Sequence, residues 1–216
     1  MDGIGKEYDV RSTIRRCWPL FLLSFAVNGI LIPGMVLSTY CAFGVSGETR
    51  RVIVVFGQYL TPLLAGWCAF FVLTPYIDSD GNEIFYIWKR SKAGEVVGAF
   101  VCYLVTAAVP YLLYGQIFSG MAAEWLRIMI ESFLFMALVY FLAFLVRRMA
   151  LVMIPVICYA FASAFYRGED VPFYLYYDVH AADPELLLDH YLPLTAAAAV
   201  LFLAGVLLNL KMERYK

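Results

Sequence analysis

Long apolar runs alternate along the chain with short polar connections. A helix needs about 20 apolar residues to cross the hydrocarbon core of a membrane, and six runs reach or approach that length. The predicted spans are 18–44, 52–76, 94–118, 126–146, 149–166 and 190–210, of which the fifth is the shortest. The pattern therefore predicts an all-α membrane protein with six transmembrane helices.

The composition supports the same class. Hydrophobic residues make up 63% of the 216 residues and charged residues 15%, whereas soluble domains have about 45–50% apolar and about 25% charged residues. The whole chain, 1–216, is interpreted as a single transmembrane domain that binds no nucleic acid. Its five cysteines lie in or beside apolar runs without a CxxC spacing, so neither a disulfide framework nor a metal site is expected.

The distribution of Lys and Arg predicts the orientation. With the N-terminus inside, four basic residues fall outside, namely Arg50, Arg51, Arg127 and Arg167. The other twelve fall on the cytoplasmic side: Lys6, Arg11, Arg15, Arg16, Lys89, Arg90, Lys92, Arg147, Arg148, Lys211, Arg214 and Lys216. Because cytoplasmic loops carry the excess of positive charge, we expect both termini in the cytoplasm and the chain in the plasma (inner) membrane.

Two segments outside the spans have a composition suited to a membrane surface. Residues 1–17 place apolar and charged side chains at roughly helical spacing, which favours an interfacial helix over a frayed tail. Residues 167–189 form the longest external connection and are rich in tyrosine. Asp183-Pro184 resembles a helix start, so one or two short helices dipping into the outer leaflet are expected there.

The connection 77–92 carries five consecutive apolar or aromatic residues, "IFYIW", at 84–88. Asp80-Gly81 suits a turn. Glu83 before the apolar stretch and Lys89-Arg90 after it suit the dipole of a short helix. The segment either lies in the inner headgroups or docks a cytosolic protein, since aromatic side chains are common interface anchors.

Four polar residues are predicted at membrane depth: Asn28, Gln58, Gln116 and Glu131. The amides are expected to bond between helices, with about 1 kcal/mol each, or to line a path. Glu131 is placed about one turn into the fourth span, where it either pairs with Arg127 or serves transport. No cluster of buried polar groups, phosphate-binding loop or catalytic motif is evident, so no cofactor and no enzymatic activity are expected.

The order of these elements resembles a known family. An interfacial helix, six spans, a short helix after span two, a basic turn after span four and short re-entrant helices after span five are similar to type-2 exporter-class permeases of ATP-binding-cassette transporters. The stretch "NEIFYIWKRSKAGEVVGAF", 82–100, stands where that family has its coupling helix and the start of span three.

The resemblance implies partners and docking residues. A separate cytosolic ATP-binding subunit would hydrolyse ATP, and a second permease subunit, identical or homologous, would complete the path. The exported cargo is expected to be apolar, peptide-like or lipid-like. The implied docking residues are Glu83, Ile84, Phe85, Ile87, Trp88 and Arg90, with Arg147 and Arg148 as a second cytosolic contact.

Three alternatives remain at this point. The chain could be an accessory or immunity membrane protein without transport, the substrate-binding membrane subunit of a vitamin-uptake system, or a membrane enzyme. A vitamin-binding subunit would not need its own aromatic cytosolic helix, and an enzyme would need clustered buried polar groups. A bound ATPase partner would distinguish the exporter permease from an accessory protein.

Overall fold

The computed structural model describes residues 22–24, 26–78, 92–165, 175 and 187–213, with the side chains of the last two excepted. This part of the chain is 91% helical and contains no strand. The predicted interfacial helix at 1–17 lies outside the described residues. So do nearly all of the predicted docking segment and most of the external connection 167–189.

Six helices make up the described structure. They are α1 (Leu22–Phe43), α2 (Gly47–Ile77), α3 (Ala93–Tyr114), α4 (Met121–Val146), α5 (Met149–Phe165) and α6, a π-helical turn (Leu187–Tyr191) continued by Leu192–Glu213. All except α5 are long and apolar enough to cross a membrane. With 17 residues, α5 extends about 26 Å, slightly less than the hydrocarbon thickness of about 30 Å. The chain is a multi-pass membrane protein.

Helices α2 and α4 run parallel in the centre of the bundle. Gln58 meets Arg127 near the start of both helices, and Gly66 meets Phe135 further along both. A Cβ atom at position 66 would lie 3.4 Å from the Phe135 Cβ, so the small residue permits close packing. These helices bury 56% and 61% of their most apolar segments, against 22–33% for α1, α3 and α6, which places the core between them.

The remaining contacts show that consecutive helices alternate in direction. Helix α6 runs parallel to α4, because Glu131 meets Tyr191 and Tyr140 meets Gly205. Helix α3 runs antiparallel to α2, because Tyr103 bonds to Thr61 while Glu95 bonds to Tyr76. The alternation is the arrangement expected of six successive crossings, with the short α5 as one of them.

Two central helices begin earlier than predicted. Helix α2 starts at Gly47 rather than at 52, because the Ser46 side chain accepts a hydrogen bond from the Thr49 amide at 3.4 Å and caps it. Helix α4 starts at Met121 rather than at 126, directly after Gly120, whose φ of 81° turns the chain into the helix. The earlier start brings Glu124, which lies before the predicted span 126–146, into α4.

Each π-helical turn is followed by a proline. Pro33 comes shortly after the turn Val27–Leu31, and Pro193 shortly after Leu187–Tyr191. A proline has no N–H and its ring collides with the carbonyl four residues earlier in a regular helix, so a widened turn accommodates it. The two turns carry Asn28 and Tyr191, which make the polar contacts described below.

The close approach of α6 to α4 predicts that Gly205 cannot be enlarged. In Gly205→Ala the new Cβ would lie 2.6 Å from Tyr140 Cδ1 and 3.2 Å from the Phe141 Cα. Overpacking of this kind costs about 1–3 kcal/mol, so the thermal unfolding temperature in detergent should fall. Gly34→Ala is the matched control, because no described residue outside its own stretch of helix lies within 4 Å of its new Cβ. Equal unfolding temperatures for the two variants would contradict this packing.

Candidate functional site

Four polar side chains are buried together where α2 and α4 lie side by side: Gln58, Glu124, Arg127 and Glu131. We term them the buried charge cluster. The Arg127 Nη2 lies 2.7 Å from Glu124 Oε2. Oriented to satisfy both groups, the Gln58 amide oxygen accepts hydrogen bonds from the Arg127 guanidinium, with Nε at 2.7 Å. The buried guanidinium therefore has its counter-charge on its own helix and an acceptor on α2.

A second guanidinium connects the cluster with the surface. Arg50 Nη2 lies 3.8 Å from Glu124 Oε1, and the Arg50 side chain is 35% exposed. Glu124 therefore lies between one buried and one half-exposed arginine. The arrangement fixes the first turns of α4 to the first turns of α2.

Glu131 has a different environment from Glu124. It is fully buried, and its Oε1 lies 3.1 Å from the Tyr191 hydroxyl of α6. Its Oε2 has no hydrogen-bond partner among the described residues. The Tyr191 hydroxyl also lies 3.2 Å from the backbone oxygen of Leu175. Glu131 thus joins α4 to α6 and, through Tyr191, to the segment between α5 and α6.

The position of Glu131 corrects the sequence interpretation. It lies ten residues after Met121, near the middle of α4 rather than one turn from its start. Pairing with Arg127 was one of two alternatives for Glu131, and Arg127 instead pairs with Glu124. The expectation that buried polar groups do not cluster was also wrong, because the predicted span 126–146 starts after Glu124, and Arg127 was counted among the external charges.

A helical projection could have revealed this cluster. Residues 124, 127 and 131 are spaced three and four apart, which places their side chains on one face of a helix. Gln58 has no such local signal, because its partner belongs to a distant part of the sequence.

A second polar contact joins α1, α2 and α3. Asn28 Nδ2 donates to the Tyr103 hydroxyl at 2.9 Å, and its Oδ1 accepts from Thr61 Oγ1 at 2.8 Å. The Tyr103 hydroxyl donates to the Thr61 backbone oxygen at 2.7 Å. Asn28 therefore bonds between helices, as predicted. Gln116 does not, because it is exposed beyond the end of α3.

The opposite end of the bundle holds both ends of the predicted docking segment. Asp78 follows α2 directly, and its Oδ1 accepts a hydrogen bond from the Met149 amide, the first residue of α5, at 3.2 Å. Met149 itself follows the exposed pair Arg147 and Arg148. The segment therefore starts beside the basic turn between α4 and α5.

The end of the same segment is fixed as well. Lys92 is fully buried, with its Nζ 4.8 Å from the centre of the Tyr76 ring. Tyr76 donates a hydrogen bond to Glu95. Lys92, predicted as a cytosolic charge, is therefore packed against α2. We term the contacts of Tyr76, Asp78, Lys92, Glu95 and Met149 the loop base. The predicted docking residues Glu83, Ile84, Phe85, Ile87, Trp88 and Arg90 lie outside the described residues.

Arg147 has an unusual backbone conformation. Its φ is 61°, and it is the one non-glycine residue with positive φ in the described part of the chain. Its amide donates to the Ala143 oxygen at 3.1 Å, which ends α4. Glycine or asparagine usually occupies such a position because other side chains are strained there. Arg147 therefore adopts a backbone conformation that is unfavourable for an arginine.

Comparison with known proteins found no matching family model, no matching curated protein and no matching solved structure. The resemblance to exporter permeases thus depends on the sequence pattern alone.

The pairing of Arg127 predicts how the cluster responds to substitution. Arg127→Met leaves Glu124 without its buried counter-charge, and breaking a buried ion pair costs about 3–5 kcal/mol. The double variant Arg127→Met/Glu124→Leu removes both charges and should recover most of the stability. The thermal unfolding temperature in detergent measures the stability of both variants. If the double variant is as unstable as Arg127→Met, the ion pair with Glu124 does not explain the contribution of Arg127 to stability.

Proposed function

We propose that the chain is the membrane-spanning permease subunit of an ATP-driven transporter, with ATP hydrolysis on a separate cytosolic subunit. The observation that best supports this proposal is the loop base. The sequence places an apolar-aromatic segment between Asp78 and Lys92. The bond from Met149 to Asp78 and the burial of Lys92 against Tyr76 fix both ends of that segment to the bundle.

Such a base suits the transmission of force. A segment pushed by a cytosolic partner moves the membrane helices only if its ends do not yield. Here the ends are bonded to α2, α3 and α5, so displacement of the segment would be passed to three helices together. A loop that only rested in the headgroups would not need such fixed ends.

The basic turn offers a second contact beside the first. Arg147 and Arg148 are exposed and immediately precede Met149, which bonds to Asp78. The strained φ of Arg147 is consistent with a side chain selected for a binding role, because backbone strain is concentrated at functional sites. An acidic groove on an ATP-binding subunit is the complementary partner.

The polar centre of the chain favours a path between two permease subunits. Asn28 uses both sides of its amide within the bundle, and Gln58 and Glu124 are bonded to Arg127. These side chains support the bundle internally. We therefore propose a second permease subunit, identical or homologous, and an apolar, peptide-like or lipid-like cargo, with export as the direction that the family resemblance implies.

The decisive experiment is purification of the tagged protein in mild detergent from its native membrane, followed by mass spectrometry. The proposal predicts a stoichiometric protein with a phosphate-loop ATPase sequence. A second permease sequence in the same complex would indicate a heterodimer. A chain that is reproducibly free of any ATPase would contradict the proposal and favour an accessory or immunity protein.

Substitution of the aromatic segment tests the docking site. Phe85→Ala/Trp88→Ala should release the ATPase partner and leave the chain inserted in the membrane, because aromatic anchors contribute most of the energy of many interfaces. The amount of co-purified ATPase measures the effect. Phe43→Ala is the control, because this exposed aromatic residue lies at the opposite end of the bundle. Unchanged ATPase recovery in the double variant would exclude the docking site.

Arg147→Gly separates stability from docking. Glycine adopts positive φ without the side-chain penalty of about 1 kcal/mol, so the unfolding temperature should rise. Loss of the guanidinium should at the same time weaken ATPase binding. Arg147→Lys, which keeps the charge and the strain, should retain more binding without the gain in stability. If Arg147→Gly binds the ATPase as tightly as the unmodified chain, the basic turn is not a docking contact.

A further inference from the structure

The Tyr191 hydroxyl faces two oxygen atoms and has one proton. Glu131 Oε1 lies 3.1 Å from it and the Leu175 backbone oxygen 3.2 Å. A carbonyl oxygen can only accept, and an ionised carboxylate can only accept. If Glu131 were ionised, one of the two oxygens would lack a donor among the described residues. A protonated Glu131 gives both contacts a donor, since Glu131 donates to Tyr191 and Tyr191 donates to Leu175.

Because these groups are buried, a missing hydrogen-bond donor is costly. Glu131, Tyr191 and Leu175 are each fully buried. The second oxygen of Glu131 has no hydrogen-bond partner among the described residues. A buried carboxylate with one donor at most is a costly arrangement, whereas the neutral acid is tolerated.

We propose that Glu131 is a proton-binding site in the middle of the bundle, and that its proton allows Tyr191 to hold the backbone of the segment between α5 and α6 at Leu175. This inference does not depend on the transporter assignment. It concerns a contact between α4, α6 and Leu175, far along the bundle from the loop base.

The titratable groups around Glu131 are compatible with a neutral acid. They come from α3, α4, α5 and α6 and are Tyr111, Glu124, Arg127, Tyr159 and Tyr191. The tyrosines carry no charge at neutral pH. Arg127, the one cation among them, is already 2.7 Å from Glu124 and bonded to Gln58. The nearby positive charge is thus balanced without Glu131.

Loss of the Glu131 proton would change the oxygen atom to which Tyr191 donates its hydrogen bond. The Tyr191 hydroxyl would donate to the charged carboxylate, because hydrogen bonds to ionised acceptors are stronger than those to neutral carbonyls. The buried Leu175 oxygen would then lose its donor. Proton release at Glu131 would therefore weaken the attachment of the backbone at Leu175.

Infrared spectroscopy of the full chain in lipid nanodiscs tests the protonation state. A protonated carboxylic acid has a carbonyl band that an ionised carboxylate lacks. At neutral pH this band should be present in the unmodified chain, lost in Glu131→Gln and shifted in Tyr191→Phe, which removes the acceptor. The exposed Glu48→Gln is the control that should retain it. An acid band unaffected by Glu131→Gln would overturn the proposal.

Hydrogen exchange of the peptide containing Leu175 tests the consequence. Relative to its intrinsic exchange rate, the peptide in the unmodified chain should lose protection as the pH is raised. Glu131→Gln keeps a neutral donor toward Tyr191 and should remain protected at every pH. Tyr191→Phe should be unprotected throughout. If Glu131→Gln exchanges as rapidly as Tyr191→Phe, or if protection in the unmodified chain does not change with pH, the proposed link between the proton and Leu175 is wrong.

Discussion

A charged side chain inside an apolar bundle has to find its counter-charge and its hydrogen-bond acceptors within the protein. Arg127 meets this constraint with Glu124 on its own helix and Gln58 on α2. The requirement brings α2 and α4 together as parallel neighbours, and Gly66 allows their backbones to approach further along. The other helices pack around this central pair, so the architecture depends on the satisfaction of one buried guanidinium.

The two ends of the bundle have different roles. Where α2 and α4 begin, the buried charge cluster joins these helices and Glu131 connects them to α6 through Tyr191. Where α2 and α4 end, the loop base joins α2, α3 and α5 through the bonds of Asp78 and Tyr76. A movement imposed at the loop base would reach the charge cluster through α2, in which Tyr76 and Gln58 lie 18 residues apart. Under the proposed function, this connection through α2 would carry a displacement of the docking segment to the centre of the bundle.

Much of the fold was predictable because hydropathy is a local property. The six apolar segments, the membrane class and the interhelical role of Asn28 followed from residue types within short windows. The helix starts were harder to predict from the sequence, since they depend on the cap at Ser46 and the turn at Gly120. An error of a few residues at the start of α4 was enough to leave Glu124 outside the predicted span and to conceal the cluster.

The sequence by itself determined that the chain is helical, apolar and suited to a membrane, and it identified Asn28, Gln58 and Glu131 as polar residues of its spans. The tertiary structure alone decided their partners: Arg127 with Gln58, Glu131 with Tyr191, and Asp78 with Met149. The physical reason is that a side chain turns by about 100° around the helix axis with each residue, at 3.6 residues per turn. Its partner therefore depends on the rotation and depth of two distant helices, which no local pattern specifies.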